Sequence, residues 1–279
     1  YISYQVTEIS SVDISSSFGA LSNEEMNRQR FLDIDLRVGS PKFDNSRVSQ
    51  TSGGSLMRSS AAIPLDSGIT AIRNAVWLHT DRVYKGALEE FLRARTDAQV
   101  RVARDDTSHD FSSSGAVTHW QSPQSLTLDS SVWKRRVRSW SRPFRTSTIL
   151  QSGTARFTAS LKNIWFVNTE GTQLCTVHPR FMVNLSAHTR ADDGMDLPLF
   201  HSVVAHSLDK LPSDSLLFGV ADTLISRLEA LRGAPVVEPF TGPGELAQRL
   251  AASAGGLATV TDQTFGKTVL SLSGTRARD

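Results

Sequence analysis

The spacing of apolar residues changes its period three times along this chain of 279 residues, from two to between three and four, back to two, and again to between three and four. In residues 31–38, Leu, Ile, Leu and Val alternate with Asp, Asp and Arg, and residues 154–161 repeat the alternation. A period of two is typical of half-buried strands, because successive side chains point to opposite faces of a sheet. The chain must therefore fold with β-structure on either side of a helical middle.

The strands fall into two predicted groups. Residues 2–7, 12–18 and 31–38 form the first group, and the short polar links between them predict an antiparallel meander. Residues 147–186 form the second group, with a hairpin turn at residues 168–171. An acidic turn, Asp192-Asp193-Gly194, closes this group.

A long helix is predicted between the two groups of strands. Its N-cap is expected at Asp66 or Ser67. Its apolar positions recur at spacings of three, four or seven and form one stripe: Ile69, Ile72, Val76, Val83, Ala87 and Phe91. Basic residues near its far end suit the helix dipole: Arg93, Arg95, Arg101 and Arg104.

Two shorter helices complete the pattern. One begins at an Asp129 or Ser130 cap and ends before Pro143, and its apolar face consists of Trp133, Val137 and Trp140. The other begins at Ser213 and ends at Gly233, with the stripe Leu217, Val220, Leu224, Leu228 and Leu231. This order of elements predicts an α+β fold, a largely antiparallel sheet covered by helices on one face.

Composition excludes several classes of protein. A single cysteine, Cys175, excludes an internal disulfide and a cysteine-based zinc knuckle. The net charge of +2 does not by itself indicate nucleic acid or membrane as a partner, and no apolar stretch approaches the roughly 20 residues that span a bilayer. A cytoplasmic location is expected, and an export signal ahead of Tyr1 stays open because the chain does not begin with Met.

The histidines do not form a zinc motif. His201 and His206 are close in sequence but five residues apart, whereas a zincin helix, His-Glu-x-x-His, places two His four residues apart with Glu directly after the first. Here Ser202 occupies the place of that Glu. We interpret the pair as polar residues on an irregular segment.

The acidic cluster of Asp192, Asp193 and Asp196 around Gly194 resembles a calcium loop only in composition. It lacks the alternate spacing and the distal Glu of such a loop, so an acidic turn is the preferred interpretation.

Two other patterns fall short of a reactive or phosphate-binding site. Cys175 lies in the middle of a predicted strand and is expected to pack rather than to react. Gly53-Gly54 lies in a Ser-rich loop that lacks the following Lys of a phosphate-binding loop.

A basic run from Lys134 to Arg145 is the best candidate for nucleic-acid binding. Its basic residues are Lys134, Arg135, Arg136, Arg138, Arg142 and Arg145. With the interleaved Trp133 and Trp140 they could grip phosphates and stack on bases. The alternative is that both tryptophans face the core together with Val137, which leaves the basic residues on a solvated face.

Several collinear segments over about residues 2–243 resemble one protein family. The first half contributes Ser16-Ser17-Phe18-Gly19-Ala20-Leu21, Lys42-Phe43-Asp44-Asn45, Ile63-Pro64-Leu65-Asp66, Trp77-Leu78, Thr80-Asp81 and Tyr84-Lys85. The second half contributes Val167-Asn168-Thr169-Glu170-Gly171-Thr172, Ala191-Asp192-Asp193-Gly194-Met195, Leu211-Pro212-Ser213 and Glu238-Pro239-Phe240-Thr241-Gly242-Pro243. In this order and spacing they resemble the N-terminal half of TldD/PmbA proteins, also called modulators of DNA gyrase.

The resemblance implies a fold and a biochemical setting. TldD/PmbA proteins form homodimers or heterodimers that enclose a proteolytic chamber for unfolded peptides, and their N-terminal half is an α+β domain that helps to shape it. Motif-bearing members bind zinc in the C-terminal half, on a His-Glu-x-x-x-His helix soon after the Gly-Pro that matches Gly242-Pro243.

This chain departs from the family pattern after Gly242-Pro243. No His follows, so neither catalytic residues nor zinc ligands carry over, and no cofactor is expected in this chain. Residues 1–241 are expected to form the N-terminal domain, and residues 242–279 a truncated start of the C-terminal half.

Three functions remain as hypotheses. In the first, the chain is a non-catalytic part of a TldD/PmbA-type metallopeptidase, inactive alone and paired with a chain of the same type. In the second, it is a stand-alone protein-interaction module. In the third, it binds nucleic acid through the run from Lys134 to Arg145.

Overall fold

The computed structural model describes residues 1–47, 59–66, 68–100, 108–234 and 236–237, together with strands at 257–264, 267–273 and 276–277. The chain divides into two compact units. Unit 1 consists of Tyr1–Val12, Met26–Thr127 and Ser160–Pro179. Unit 2 consists of Asp13–Glu25, Leu128–Ala159 and Arg180–Asp279.

The strands, in chain order, are β1 (Ile2–Ser17), β2 (Ala20–Leu36), β3 (Gly39–Ser40), β4 (Phe43–Asp44), β5 (Ser59–Ala62), β6 (Thr118–Trp120), β7 (Leu150–Asn168), β8 (Gln173–Arg190), β9 (Asp196–Ala205), β10 (Val236–Val237), β11 (Leu257–Thr264), β12 (Lys267–Ser273) and β13 (Arg276–Ala277). Seven of them form one sheet in the order β5-β2-β1-β7-β8-β6, with β9 paired to β8. Strand β5 pairs with β2, and β9 pairs with β8, in antiparallel fashion. Strand β6 pairs with β8 in parallel fashion.

Three helices pack on this sheet: α1 (Ile69–Val100), α2 (Ser130–Ser141) and α3 (Asp214–Gly233). Helix α1 belongs to unit 1, and α2 and α3 belong to unit 2. The predicted α+β class, a largely antiparallel sheet covered by helices on one face, is confirmed. None of the described helices is both long enough and apolar enough to cross a membrane.

The predicted meander of three strands at the start of the chain is wrong. The first two predicted strands are one continuous strand, β1, and residues 20–30, for which no strand was expected, belong to β2. Residues 20–30 are exposed apart from Arg30, so they show no apolar alternation. Pairing with a neighbouring strand makes them β-structure, because strand formation depends strongly on its context.

The second group of strands also differs from the prediction. Its several short predicted runs form two long strands, β7 and β8, which the predicted turn at residues 168–171 joins. The acidic turn is confirmed as the link between β8 and a further strand, β9, which the sequence did not predict. His201 therefore lies on a regular strand rather than on an irregular segment.

The core of unit 1 lies between α1 and the sheet. Leu32, Ile34, Ile63 and Val83 are buried together there. Of the predicted stripe, Ile69 is exposed, since it is the first residue of α1. The helix begins later than its predicted cap: the Gly68 carbonyl accepts from the Ile72 N–H, and Asp66 Oδ1 accepts from the Gly68 N–H.

A buried carboxylate ties β1 to β2 in unit 1. Arg28 donates to Glu8 Oε1 through Nε and an Nη, at 3.0 and 2.7 Å, and Arg30 donates in the same way to Oε2 at 2.9 and 2.6 Å. Arg30 also donates to the Pro64 carbonyl at 2.7 Å, which secures the segment before α1. Burial alone would raise the pKa of Glu8, but the hydrogen bonds and charges of the two arginines outweigh it and hold the pKa below its usual value of 4.5.

We predict that Glu8→Gln lowers the free energy of unfolding at pH 7 by about 2 kcal/mol, the scale of hydrogen bonds to a charged group. Because the folded-state pKa is depressed, this stability is present above pH 4.5 and is lost as the pH falls below it. Urea unfolding from pH 7 to pH 3 should show the difference shrinking. The exposed Glu25→Gln is the control, and a pH-independent difference would contradict the prediction.

The core of unit 2 forms around the tryptophans of α2. Asp129 caps this helix by accepting from the Ser131 and Val132 N–H groups, and Trp133, Val137 and Trp140 are buried, as predicted. The Trp133 ring stacks on Phe157 of β7 with centroids 3.9 Å apart. Helix α3 begins at its predicted Ser213 cap. Its buried residues are Leu217, Ala221, Leu224, Ile225, Leu228 and Leu231.

The turn between β1 and β2 is tied to α2 by buried hydroxyls. Phe18 and Gly19 have φ of 49° and 82°, the left-handed conformation of a tight hairpin turn. The Gly19 N–H donates to Ser141 Oγ at 2.8 Å, and Ser16 Oγ donates to the Val137 carbonyl at 2.8 Å. The Phe18 N–H donates to the Gly153 carbonyl of β7 at 3.0 Å. These bonds fix the hairpin end within unit 2.

Gly153 lies where β7 passes closest to another side chain. A Cβ added there would stand 2.3 Å from Cβ of the fully buried Phe144. We predict that Gly153→Ala lowers the free energy of unfolding by about 2 kcal/mol through overpacking. The matched control, Gly219→Ala within α3, has nothing within 4 Å of the new Cβ and should raise stability by about 0.5–1 kcal/mol. Equal effects in urea unfolding would contradict this account.

The remaining predictions of organisation concern residues beyond these elements. The expected domain boundary between residues 241 and 242 lies outside the described residues, as do Gly53-Gly54, Arg101 and Arg104. Farther along, β11 and β12 pair with each other in antiparallel fashion, and β10 pairs in parallel with β13.

Candidate functional site on the open face of unit 2

Helices α2 and α3 contact one face of the sheet in unit 2, and the opposite face is partly exposed on β7 and β8 and exposed on β9. Side chains alternate between the two along β8, where Val183, Leu185 and Ala187 are buried and the residues between them are partly exposed. We call the exposed side the open face. On β9 it consists of Asp196, Pro198, Phe200, Ser202 and Val204, all exposed.

Hydrogen bonds between strands order the polar side chains of the open face. Asp13 of β1 accepts from Arg156 Nε at 2.9 Å and from Thr158 Oγ1 at 2.8 Å, both on β7. On the next strands, Asn184 Nδ2 donates to Ser202 Oγ at 2.5 Å. The face thus presents fixed donors, acceptors and charges.

A charged cluster lies at one end of the open face. Asp196 accepts from Arg190 Nε at 3.0 Å and stands 3.4 Å from His188 Nε2. The Arg190 hydrogen bond and charge, with a smaller contribution from His188, hold the pKa of Asp196 below its usual value. Among the described residues of this face, no serine is hydrogen-bonded to a histidine, so the arrangement offers binding contacts rather than an activated nucleophile.

The acidic turn beside this cluster is held by ion pairs. Asp192 accepts from Arg232 at 2.8 Å, and Asp193 Oδ1 accepts from the Met195 N–H at 3.2 Å. Asp196 is turned toward Arg190. The three carboxylates thus have separate partners, which is the arrangement of a structural turn rather than of ligands around one calcium ion.

The two candidate histidines are not placed to share a metal ion. His201 lies opposite Leu185 on β9, and His206 follows the end of that strand. Five residues of extended chain span about 16 Å, more than two imidazoles at about 2 Å from one zinc ion can bridge. Across the described part of the chain, no group of three or more His, Cys, Asp or Glu is placed to hold a metal ion. The described residues therefore do not fit the zinc of the family's motif.

Three of the six basic residues in the run from Lys134 to Arg145 make side-chain contacts within unit 2. Arg136 lies over both tryptophans, 4.5 Å from the Trp133 ring centroid and 5.2 Å from that of Trp140. Lys134 pairs with Glu24 at 2.5 Å, and Arg138 Nε donates to the Gly19 carbonyl at 3.1 Å. With both tryptophans buried, they offer no surface for stacking bases.

Asp214 is the partner that holds Arg136 in place. At the first turn of α3, its Oδ1 accepts from Arg136 Nε and Nη2 at 3.0 and 2.8 Å and from Trp140 Nε1 at 2.9 Å. Burial alone would raise the pKa of Asp214, but these hydrogen bonds and the Arg136 charge outweigh it and lower the pKa. The cluster joins α2 to α3 and is structural.

Cys175 is fully buried on β8 of unit 1. Burial raises the pKa of its thiol, which keeps it protonated at neutral pH. Its surroundings are those of a packing residue.

Sequence reasoning missed the open face because it missed β9. The alternate residues Leu197, Leu199, Val203 and Ala205 do carry a period of two. Phe200 and Val204 obscure it, since they are apolar residues on the exposed side.

We predict that Arg136→Ala lowers the free energy of unfolding by about 1–2 kcal/mol, because it removes a partly exposed ion pair and a cation–π contact. The matched variant Arg135→Ala, on an exposed position of the same helix, should change stability by less than about 0.5 kcal/mol. Thermal or urea unfolding measures both. If instead both variants weakened DNA binding with a steep salt dependence, the structural account of the basic run would be wrong.

No family model and no curated protein matches the chain. Solved structures do match it. A candidate modulator of DNA gyrase from Thermotoga maritima aligns with a TM-score of 0.50 at 10% identity, over 86% of this chain and 46% of its own. TldE from Thermococcus kodakarensis gives the same four values. A candidate modulator from Bacteroides thetaiotaomicron aligns with a TM-score of 0.54 at 10% identity, over 90% of this chain and 51% of its own.

The chain spans about half the length of these solved proteins. At 10% identity the likeness concerns the fold, and it agrees with the fold that the sequence resemblance implies. This chain therefore has a TldD/PmbA-like fold.

Proposed function

We propose that this chain is a non-catalytic component of a TldD/PmbA-type metallopeptidase, in which it forms part of the wall of a proteolytic chamber and contributes to a dimer interface. The open face of unit 2 is the observation that carries the proposal. The wall of a chamber needs a surface that the chain does not cover itself, and the β9 part of this face is exposed. The chain also has a TldD/PmbA-like fold.

The chemistry of the open face suits brief contacts with unfolded peptide. A peptide in extended form presents a donor and an acceptor at nearly every residue. Asp13, Arg156 and Asn184 offer ordered partners for such groups, and the exposed Phe200 and Val204 offer apolar contact. Each such hydrogen bond contributes only about 1 kcal/mol net, so the contacts would be weak and independent of sequence.

Catalysis in this proposal belongs to a partner chain. Zinc-dependent hydrolysis requires metal ligands and a general base within reach of the bound water. The described residues do not fit such a set. A motif-bearing chain of the TldD type would supply the zinc and its ligands, and the present chain would complete the enclosure.

A stand-alone interaction module is the second candidate. Exposed apolar residues on α1, among them Trp77 and Leu92, favour a protein partner of some kind. This candidate requires no protease.

Zinc analysis and casein hydrolysis separate the two. We predict well below one zinc ion per purified chain and no hydrolysis by the chain alone. Mixed with a motif-bearing TldD-type chain from the same source, it should raise hydrolysis that a chelator abolishes. Chelator-sensitive proteolysis by the pure chain would refute the non-catalytic role. If the partner's activity does not change, the stand-alone interaction module is the candidate that remains.

A pair of variants tests the open face within the same assay. Phe200→Ala on β9 should lower hydrolysis by the mixture, since Phe200 is 72% exposed on the open face. Leu216→Ala is the control, an apolar residue 64% exposed on α3. Equal activity of both variants would argue against the open face as the chamber wall.

A further inference from the structure

Helix α1 carries a second apolar stripe that faces away from its own core. Trp77, Tyr84 and Leu92 are 69%, 48% and 51% exposed, and Leu88, partly buried, lies between them. At about 100° per residue, spacings of seven, four and four keep these four side chains on one side of the helix. We call them the outer stripe. Contiguous apolar surface of this kind marks an interaction site.

We infer that the outer stripe binds the outer stripe of a second copy of this chain, with the two α1 helices antiparallel and a two-fold axis at Leu88. The inference goes beyond the proposed function, since it concerns contact between two identical copies of this chain rather than contact with the motif-bearing partner. A two-fold contact is self-complementary, so the helix itself must supply both halves of every pair.

Apolar residues match in this register. Each residue faces the one equally far from Leu88 on the other copy, so Leu88 faces Leu88 and Tyr84 faces Leu92. Both pairs are apolar, and the second occurs twice. The interface core is therefore continuous along the centre of the helix.

Charges also match, and they decide the orientation. Asp81 and Arg95 are each seven residues from Leu88, so the antiparallel pair places them opposite each other twice. In a parallel pair Asp81 would face Asp81 and Arg95 would face Arg95, which is repulsive. Arg95 has no ion pair among the described residues, and Asp81 pairs only with the exposed Lys85 four residues on. Such an exposed pair contributes little by itself.

An open cleft lies at each end of the stripe. Trp77 of one copy faces Gln99 of the other, beside this cleft of about 360 Å³. The residues that line it are Phe43, Phe91, Arg95, Ala98 and Gln99. Phe43 and Phe91 meet edge to face at 5.8 Å and form its apolar floor. An indole ring entering there would contact both rings and lie beside the Arg95 guanidinium, a favourable cation–π partner.

Disulfide trapping tests the register directly. A cysteine at the two-fold axis meets its own copy, so Leu88→Cys should give a disulfide-linked dimer on oxidation. The native Cys175 is fully buried and stays out of the reaction. Arg82→Cys, exposed on α1 but away from the outer stripe, is the control and should remain unlinked. Equal linking of both variants, or of neither, would overturn the inference.

Charge exchange tests the pairing by a second route. In sedimentation equilibrium, Asp81→Arg and Arg95→Asp should each raise the dimer dissociation constant at least about 10-fold, and the double variant should restore it. Trp77→Ala should weaken the dimer by a similar factor or more, as buried interface tryptophans do. A stable dimer without rescue by the double variant overturns the inference and leaves the proposed function standing. A chain that is monomeric at every concentration overturns this interface, while the hydrolysis assay reports separately on the chamber.

Discussion

The alternate orientation of side chains along four long strands is the constraint on which the rest of the structure depends. β1, β2, β7 and β8 contain 16, 17, 19 and 18 residues. Along strands of this length, alternate side chains form two long rows on opposite faces. Burying one row requires helices on that face. In unit 2, where α2 and α3 cover that face, the other row forms the open face.

Local signals predicted the helices, and they succeeded where the helix interacts mainly with its own neighbours in sequence. Asp129 caps α2 because its carboxylate reaches N–H groups two and three residues on. Trp133 and Trp140 share a face through helical spacing alone. The same local view failed for residues 20–30 and for β9. Each pairs with the preceding strand across a short turn. Residues 20–30 carry no apolar alternation that would reveal this pairing, and in β9 the exposed Phe200 and Val204 obscure it.

The basic run shows why a candidate site is harder to predict than a helix. Its composition fitted nucleic acid, but Arg136 is matched by Asp214, 78 residues later. The open face depends on still longer separations, since Arg156 meets Asp13 across 143 residues. Such pairs become visible only when the strand order is known. A sequence can therefore show which charges exist before it shows which of them are already neutralised.

The open face and the outer stripe suit different kinds of partner. Polar groups exchange water for ligand with a small net gain, so a polar face favours contacts that form and release. Apolar surface gains roughly 25 cal/mol for each Å² removed from water, so a stripe that includes Trp77 favours contacts that last. The proposed role in a chamber requires both, because a neighbouring chain must stay bound while a peptide passes. Placing the two chemistries on separate elements, β9 and α1, lets substitutions alter one contact without altering the other.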